Sequence, residues 1–549
     1  MSASNKKKLR KEQNVAALTE KQLKEQKEAK KLKTYTWTFV VAMILVVVIA
    51  LAAVVRIPIA GATDRNTNAI KIGDHTLSTT DLTYYYVDAI NDHYNKAYQQ
   101  YGSYASLLLG FKTGTPLNEQ KYSASEDFET WADYFLDKGI ENAKSIYALY
   151  EDALANNHKL SESEQETLDT QLDSIGQMAK YYGYSNANAY LRATYGNGAN
   201  MKTYTTYYTV NSLAASYFDA HSDSLKYTNE DFRAYEKDKI HDYNSYSYGS
   251  YTLAVNSFLK GGTKGEDGKL TYSDAEKEQA RKDALAAAEA LAKGPYADFD
   301  AFEKAVKALE INKGKDNVTA NKYEDSLYSN LSTEDLKKWL AEERKEGDLK
   351  VIEAYSTTKD SDGKETKNTT GYTVYYFMGM DDNTTNLVDV RHILVQFSGG
   401  KTDANGNVTY TVAEKEAAKK AAQALLDQWK AGKATEESFG ELAKEKSQDT
   451  GSKANGGLYE KVYPGQMVDT FNDWCFDKDR KTGDTGLIAT EYGYHVMYFV
   501  KANDQTFRDY MIEIDMRNED LEEWKDGLTE KISLEKIDLS GINMEYRFG

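Results

Sequence analysis

DAEKEQARKDALAAAEALAKG (274–294) and VAEKEAAKKAAQALLDQWKAG (412–432) align without a gap over 21 residues and share nine identities. Each reads as a helix stopped by its glycine. In the second, Ala418, Ala422, Leu425 and Trp429 recur at spacings of three and four, which makes one apolar face for a sheet to rest on. The match continues outward. Tyr251–Val255 lines up with Arg391–Val395, Trp339 with Trp474, Gly347-Asp348 with Gly483-Asp484, and Gly371–Val374 with Gly493–Val496. The chain therefore contains two copies of a strand-helix-helix-strand unit in series. Thr252 and Thr373 of the first copy stand at the places of His392 and His495 in the second. A lone histidine is usually structural, but two at corresponding strand positions, absent together from the other copy, point to a function. The first copy also carries polar insertions near 260–270 and 357–370, which read as disordered loops.

Composition narrows the function classes. The 549 residues allow several domains, and 41% hydrophobic content excludes a disordered chain. With 68 Lys and Arg against 86 Asp and Glu, the net charge of −18 gives no overall attraction to nucleic-acid phosphates. Cys475, the sole cysteine, cannot form an intramolecular disulfide or a cysteine zinc cage. Asp403-Ala-Asn-Gly-Asn407 and Asp360-Ser-Asp-Gly363 lack the ligands of a calcium loop and read as turns. No metal or cofactor is expected.

From Trp37 to Val55 the sequence WTFVVAMILVVVIALAAVV runs 19 residues without a charge, enough to span a bilayer core once as a helix. The first 34 residues hold eleven Lys and Arg against four Glu, which places the amino terminus in the cytoplasm and everything past Arg56 outside. The rival reading is a signal peptide cleaved at Ala60-Gly61-Ala62, although the apolar run is long for one. Beyond the tail, 57 basic residues face 82 acidic ones, a net −25. Residues 66–243 read as a tyrosine-rich helical domain. Ile70–Leu77 opens it as a hairpin, and Ser161-x-x-Glu164 starts one of its helices. The tyrosines are expected to pack their rings inside and leave their hydroxyls wet.

VRHILV (390–395), SQDTGSKANGGLYEKVYPGQMVDTF (447–471) and EYGYHVMYF (491–499) together resemble the parvulin family of peptidyl-prolyl isomerases, in motif order and spacing, over about 115 residues. The resemblance implies a four-stranded antiparallel sheet wrapped by helices, and catalytic residues at His392, His495 and Asp449. It implies a proline-ring pocket at Leu458, Met467 and Phe471, with Gln466, Phe476 and Tyr492 as further substrate contacts. Cys475 is expected to be core filler. The loop after the first strand offers only Lys401, so phosphate-directed recognition is not expected. The helical segment, with GYSNANAYLRATYG (183–196) and KYTNEDFRAYEKDK (226–239), is similar to the arms of extracytoplasmic foldases of the PrsA, SurA and PpiD type.

The expected architecture is α+β: a basic tail 1–34, a transmembrane helix 35–56, a helical chaperone-like domain 66–243, a degenerate parvulin-like domain 244–384, a parvulin domain 386–503, and a C-terminal helix 504–549 folded back on the helical domain. The expected function is isomerisation of X-Pro bonds in unfolded exported polypeptides at the outer face of a bacterial membrane. Lipid is the partner of the single helix, no nucleic acid is bound, and self-association stays open. The alternatives are an anchored holdase whose parvulin-like copies only bind peptide, and a scaffold for membrane complexes.

Overall fold

The computed structural model describes residues 59–264, 269–359, 365–403 and 406–548. The expected tail 1–34 and spanning helix 35–56 lie outside the described residues. Among the described residues no helix is long and apolar enough to cross a membrane. The chain divides into two compact units, Met1–Leu225 with Glu519–Gly549, and Lys226–Asn518.

The first unit opens with the hairpin β1 (Asn68–Ile72) and β2 (His75–Ser78), and the strand Leu534–Lys536 pairs antiparallel with β1. Five helices follow: α1 (Thr79–Tyr101), α2 (Trp131–Ala155), α3 (Glu162–Tyr181), α4 (Ala187–Tyr195) and α5 (Met201–Ser224). Capping boxes start α1 at Ser78, α2 at Thr130 and α3 at Ser161, the last with Glu164 as its reciprocal partner. Tyr84 and Tyr86 are fully buried in α1. Their hydroxyls are not wet as the composition suggested: that of Tyr84 bonds Thr203 Oγ1 at 2.8 Å, and that of Tyr86 is buried without a partner. Trp524 stacks on His221 at 3.8 Å between ring centroids and lies against Tyr217, so residues after 518 close over α5.

In the second unit, α6 (Asn229–Tyr235) precedes β3 (Ser245–Ala254), α7 (Asp274–Leu291), α8 (Phe299–Ala308), β4 (Asn321–Leu327), α9 (Glu334–Ala341), β5 (Leu349–Lys359) and β6 (Glu365–Asp381). The sheet order is β4-β3-β6-β5, all antiparallel. The next set repeats it: β7 (Asn386–Gln396), α10 (Val412–Ala431), α11 (Glu436–Lys446), β8 (Leu458–Val462), α12 (Asp469–Cys475), β9 (Thr485–Ala489) and β10 (Gly493–Thr506), in the order β8-β7-β10-β9. Helix α13 (Phe507–Lys531) follows. The two sheets thus share one strand order, which accounts for the sequence repeat.

Each sheet is covered on both faces, because alternate side chains point to opposite sides. In the second sheet, Ile393, Val496 and Tyr498 pack on Ala422, Leu426, Trp429 and Phe439 of α10 and α11. Val388, Val390, Met497 and Phe499 face the other way, onto Phe471, Trp474 and Cys475 of α12. In the first sheet, Trp339 of α9 packs against Tyr375 and Phe377 as Trp474 does against Met497 and Phe499.

Strand pairing corrects one correspondence read from the sequence. His392 lies across from Met497 and Leu394 across from His495, whereas in the first sheet Ser250 lies across from Tyr375 and Thr252 across from Thr373. Thr373 keeps the place of His495, but the place of His392 falls to Ser250. The 3-10 turn Val255–Phe258 lengthens the link to α7, so an alignment anchored on the helices slips along the strand. Of the insertion near 357–370, residues 360–364 lie outside the described residues, and the described remainder is strand rather than the expected disorder, since β5 and β6 pair from Lys359 and Glu365 inward. Asp403 N–H donates to Asn407 O at 2.9 Å between two short paired strands, with Ala404 and Asn405 outside the described residues.

Candidate functional site

The two histidines stand on neighbouring central strands, two register steps apart, and point to the α12 face. His392 on β7 and His495 on β10 are 3% and 5% exposed. Their Nδ1 atoms are 2.9 Å apart, and the rings lie 19° from parallel. Gly457 makes the approach of β8 feasible. His392 N–H donates to its carbonyl at 2.8 Å, and a Cβ at Gly457 would stand 2.1 Å from the His392 carbonyl oxygen.

The remaining ring nitrogens are also occupied. His392 Nε2 lies 2.9 Å from Asp449 Oδ2 and 3.0 Å from Ser452 Oγ, and His495 Nε2 lies 2.8 Å from Thr490 Oγ1. Asp449 Oδ2 further accepts the Ser452 and Tyr459 hydroxyls and the Ser452 N–H. These donors fix its charge state: the hydrogen bond from His392 foremost, then that from Ser452, hold the carboxyl well below the usual carboxylate range against the opposing effect of burial. Burial and the adjacent Asp449 push the Tyr459 phenol up, so it stays a donor.

An ionised Asp449 can only accept, and with both imidazoles neutral this orders the protons along the chain of bonds. His392 donates from Nε2, so its Nδ1 is the acceptor. His495 must then donate from Nδ1, leaving its Nε2 to accept from the Thr490 hydroxyl. The order is Thr490 to His495 to His392 to Asp449. All four imidazole nitrogens are thus bonded within the protein, and neither ring has a free lone pair for nucleophilic attack.

Burial, reinforced by the neighbouring His392, lowers the pKa of His495 to about 4, against the opposing pull of Asp449. Because this folded value lies below the unfolded one, the unfolded state takes up the proton first on acidification. The associated stability is full above about pH 6.5 and is lost as pH falls toward 4, by about 3 kcal/mol at most. Urea unfolding of the intact chain between pH 7.5 and 4.5 is expected to show this loss. His495→Gln should flatten it over that window.

The pocket residues are brought together unevenly. Phe471 is 3% exposed and stands edge-on to both imidazoles at 5.5 Å. Met467 and Phe476 pack partly buried against the same cluster. Leu458 pairs with Arg391 and takes the face away from His392. Tyr459, one residue on, pairs with Val390, joins the Phe471 cluster, and has its ring 5.3 Å from that of His392. Gln466 Oε1 accepts from Tyr463 N–H at 3.1 Å, so it braces the turn before Met467. Tyr492 stands 57% exposed in the turn before β10. Cys475 is fully buried, and burial pushes its thiol up to about 12, as suits an inert core thiol.

Three residues of the network escaped sequence reasoning. Ser452 and Tyr459 lie inside the 447–471 motif, and Thr490 lies five residues before His495. Their hydroxyls carry no periodic signal, and only the approach of β8 and the β9–β10 turn to the imidazoles singles them out. Among the described residues no group of His, Cys, Asp and Glu could hold a metal ion.

Residues 372–506 match the PPIC-type PPIASE domain family. Among curated proteins, foldase protein PrsA 1 of Listeria monocytogenes is 32% identical over 183 residues, covering 33% of this chain and 50% of its own length. The putative peptidyl-prolyl cis-trans isomerase Cbf2 of Campylobacter jejuni is 38% identical over 91 residues, 16% of this chain and 33% of its own. The crystal structure of PrsA from Bacillus subtilis matches 76% of this chain and 93% of its own at 15% identity, with a TM-score of 0.25. The chain spans about half the length of the PrsA 1 relative and about a third of that of Cbf2.

Proposed function

We propose that this chain, whose residues 372–506 match the PPIC-type PPIASE domain family, is a foldase that isomerises X-Pro bonds in unfolded exported polypeptides while anchored to the outer face of the cytoplasmic membrane. The observation that carries the reading is the closed chain Thr490–His495–His392–Asp449 beneath an apolar wall of Phe471, Met467 and Tyr459. An X-Pro bond needs no covalent chemistry. Its barrier of about 18–20 kcal/mol comes from amide resonance, and a site that binds the twisted amide more tightly than the planar one lowers it. Asp449 is a positioning residue here. With Oδ2 saturated by internal donors, it holds His392 in one tautomer, and His392 holds His495.

The membrane reading rests on the charge-free run Trp37–Val55 and the basic tail before it. Tethering keeps the isomerase where chains emerge and raises its effective concentration for them. In this reading 66–243 and 504–549 grip polypeptide, and 386–503 holds the working copy.

Isomerisation of a short X-Pro peptide by the intact chain tests the enzyme. His392→Asn and His495→Asn are each expected to lower kcat/KM at least about tenfold, or about 1.4 kcal/mol of transition-state stabilisation. Unchanged rates in variants with unchanged melting would remove the pair from the mechanism. A holdase reading fits the first copy better than the second. At the corresponding positions it offers Ser250 and a Thr252–Thr373 hydroxyl pair 2.8 Å apart, with no imidazole.

A further inference from the structure

Charge in the first unit is unevenly spread. Between Asp173 and Asp219 the sequence has no acidic residue, three bases (Lys180, Arg192 and Lys202) and nine tyrosines. The chain past its tail is otherwise strongly acidic, so a 45-residue stretch without Asp or Glu stands apart.

The fold gathers this stretch at one end of the unit. Glu164 and Leu168, early in α3, line a cavity with Ser212 and Asp219 of α5, while Ile175, late in α3, clusters with Met201 and Tyr204 at the start of α5. The two helices are therefore antiparallel, and the end of α3, all of α4 and the beginning of α5 lie together. Tyr181 and Tyr182 project there, 83% and 60% exposed, with Met178 and Tyr184 beside them. Lys180 and Lys202 are exposed at the same end.

The chain also enters the unit here. Arg65 Nη1 donates to Gly198 O at 3.0 Å, and Gly61 lies against the Asn197 carbonyl. The single acid that this entering segment adds, Asp64, is next to Arg65. The charge-free run ends at Val55, four residues before Ile59. Four residues reach about 14 Å when fully extended, so this end of the unit cannot stand far from the end of that run.

We propose that this tyrosine-rich end of the first unit, formed by the acid-free end of α3, α4 and the start of α5, rests on anionic lipid headgroups of the membrane that the anchor enters. Bases are drawn to the negative surface potential, and tyrosine favours the interface, where its ring is buried and its hydroxyl stays wet. The occupant is lipid rather than polypeptide because the tether is short and the charge is complementary. The surface would orient the foldase on the membrane. This rests on the membrane reading of residues 37–55.

The test is hydrogen exchange of the intact chain reconstituted into vesicles of phosphatidylcholine alone or with a quarter phosphatidylglycerol. Amides of 178–186 are expected to exchange at least about fivefold more slowly on the anionic vesicles, since each base near such a surface contributes roughly fivefold in occupancy. Lys180→Glu with Lys202→Glu, both exposed, should abolish the difference without changing melting. The other exposed aromatic patch, Tyr98 to Leu108, lies at the far end of the 23-residue helix α1, about 30 Å away, and should not respond. Equal exchange on both lipids, with the chain floating on each, would overturn the proposal. Protection that appears only on adding an unfolded polypeptide, alike on both lipids, would overturn it too and make the face a peptide grip. Failure to float on either vesicle would remove the anchor reading and this inference with it.

Discussion

Phe471→Ala is expected to destabilise the second unit by about 3–5 kcal/mol and to lower X-Pro peptide isomerisation at least about tenfold. Phe471 is buried among Val390, Val462, Trp474 and Met497, so truncation leaves a cavity that the surrounding sheet cannot close. It also meets both imidazoles edge-on, and its loss frees them to tilt away from the Nδ1–Nδ1 bond. Two measurements separate the effects. Urea unfolding reads the cavity, and kcat/KM of the folded fraction reads the pocket wall. Phe471→Leu refills most of the volume and should recover most of the stability but less of the activity. Equal recovery of both would reduce Phe471 to core filler.

The second large effect belongs to Arg508, at the start of α13. Its guanidinium is 6% exposed and donates to Glu236 Oε2 at 2.6 Å, to Asn244 Oδ1 at 2.8 Å, and to the carbonyls of Asp382 and Ile240. Arg508→Ala strands these acceptors and leaves Glu236 with Arg233 as its remaining ionic partner, so a loss of about 3 kcal/mol or more is expected. Replacing Arg508 by Met and Glu236 by Leu together removes both buried charges. That pair should be less destabilising than Arg508→Ala, because the desolvation of two ions is relieved with their attraction. Additive losses in that cycle would show that the two side chains act independently.

Local features were readable from the sequence because they depend on neighbours along the chain. The capping box at Ser161 and Glu164 starts α3 where its residue types predicted, and the paired helices 274–291 and 412–431 end near their glycines. The Ile70–Leu77 hairpin forms for the same reason. The parvulin motifs led to His392, His495 and Asp449, and the fold places His392 within hydrogen-bonding distance of both of the others. Motif order along the chain carries that information even though 103 residues separate the histidines.

What failed did so at strand register. Leu458 and Tyr459 look equally suited to an apolar pocket, and Thr252 appeared to match His392, yet a shift of one residue reverses the face and a shift of two moves the place along the strand. The sequence by itself determined the repeat, the helix starts, the imidazole pair, the charge-free run near the amino terminus and the acid-free stretch before Asp219. Only the tertiary structure decided that Tyr459 rather than Leu458 faces the histidines, that Ser452 and Thr490 complete their proton order, and that Ser250 stands in the first copy where His392 stands in the second. Pairing between strands is set by contacts remote in the chain, and side-chain direction follows from that pairing rather than from any residue's own preference.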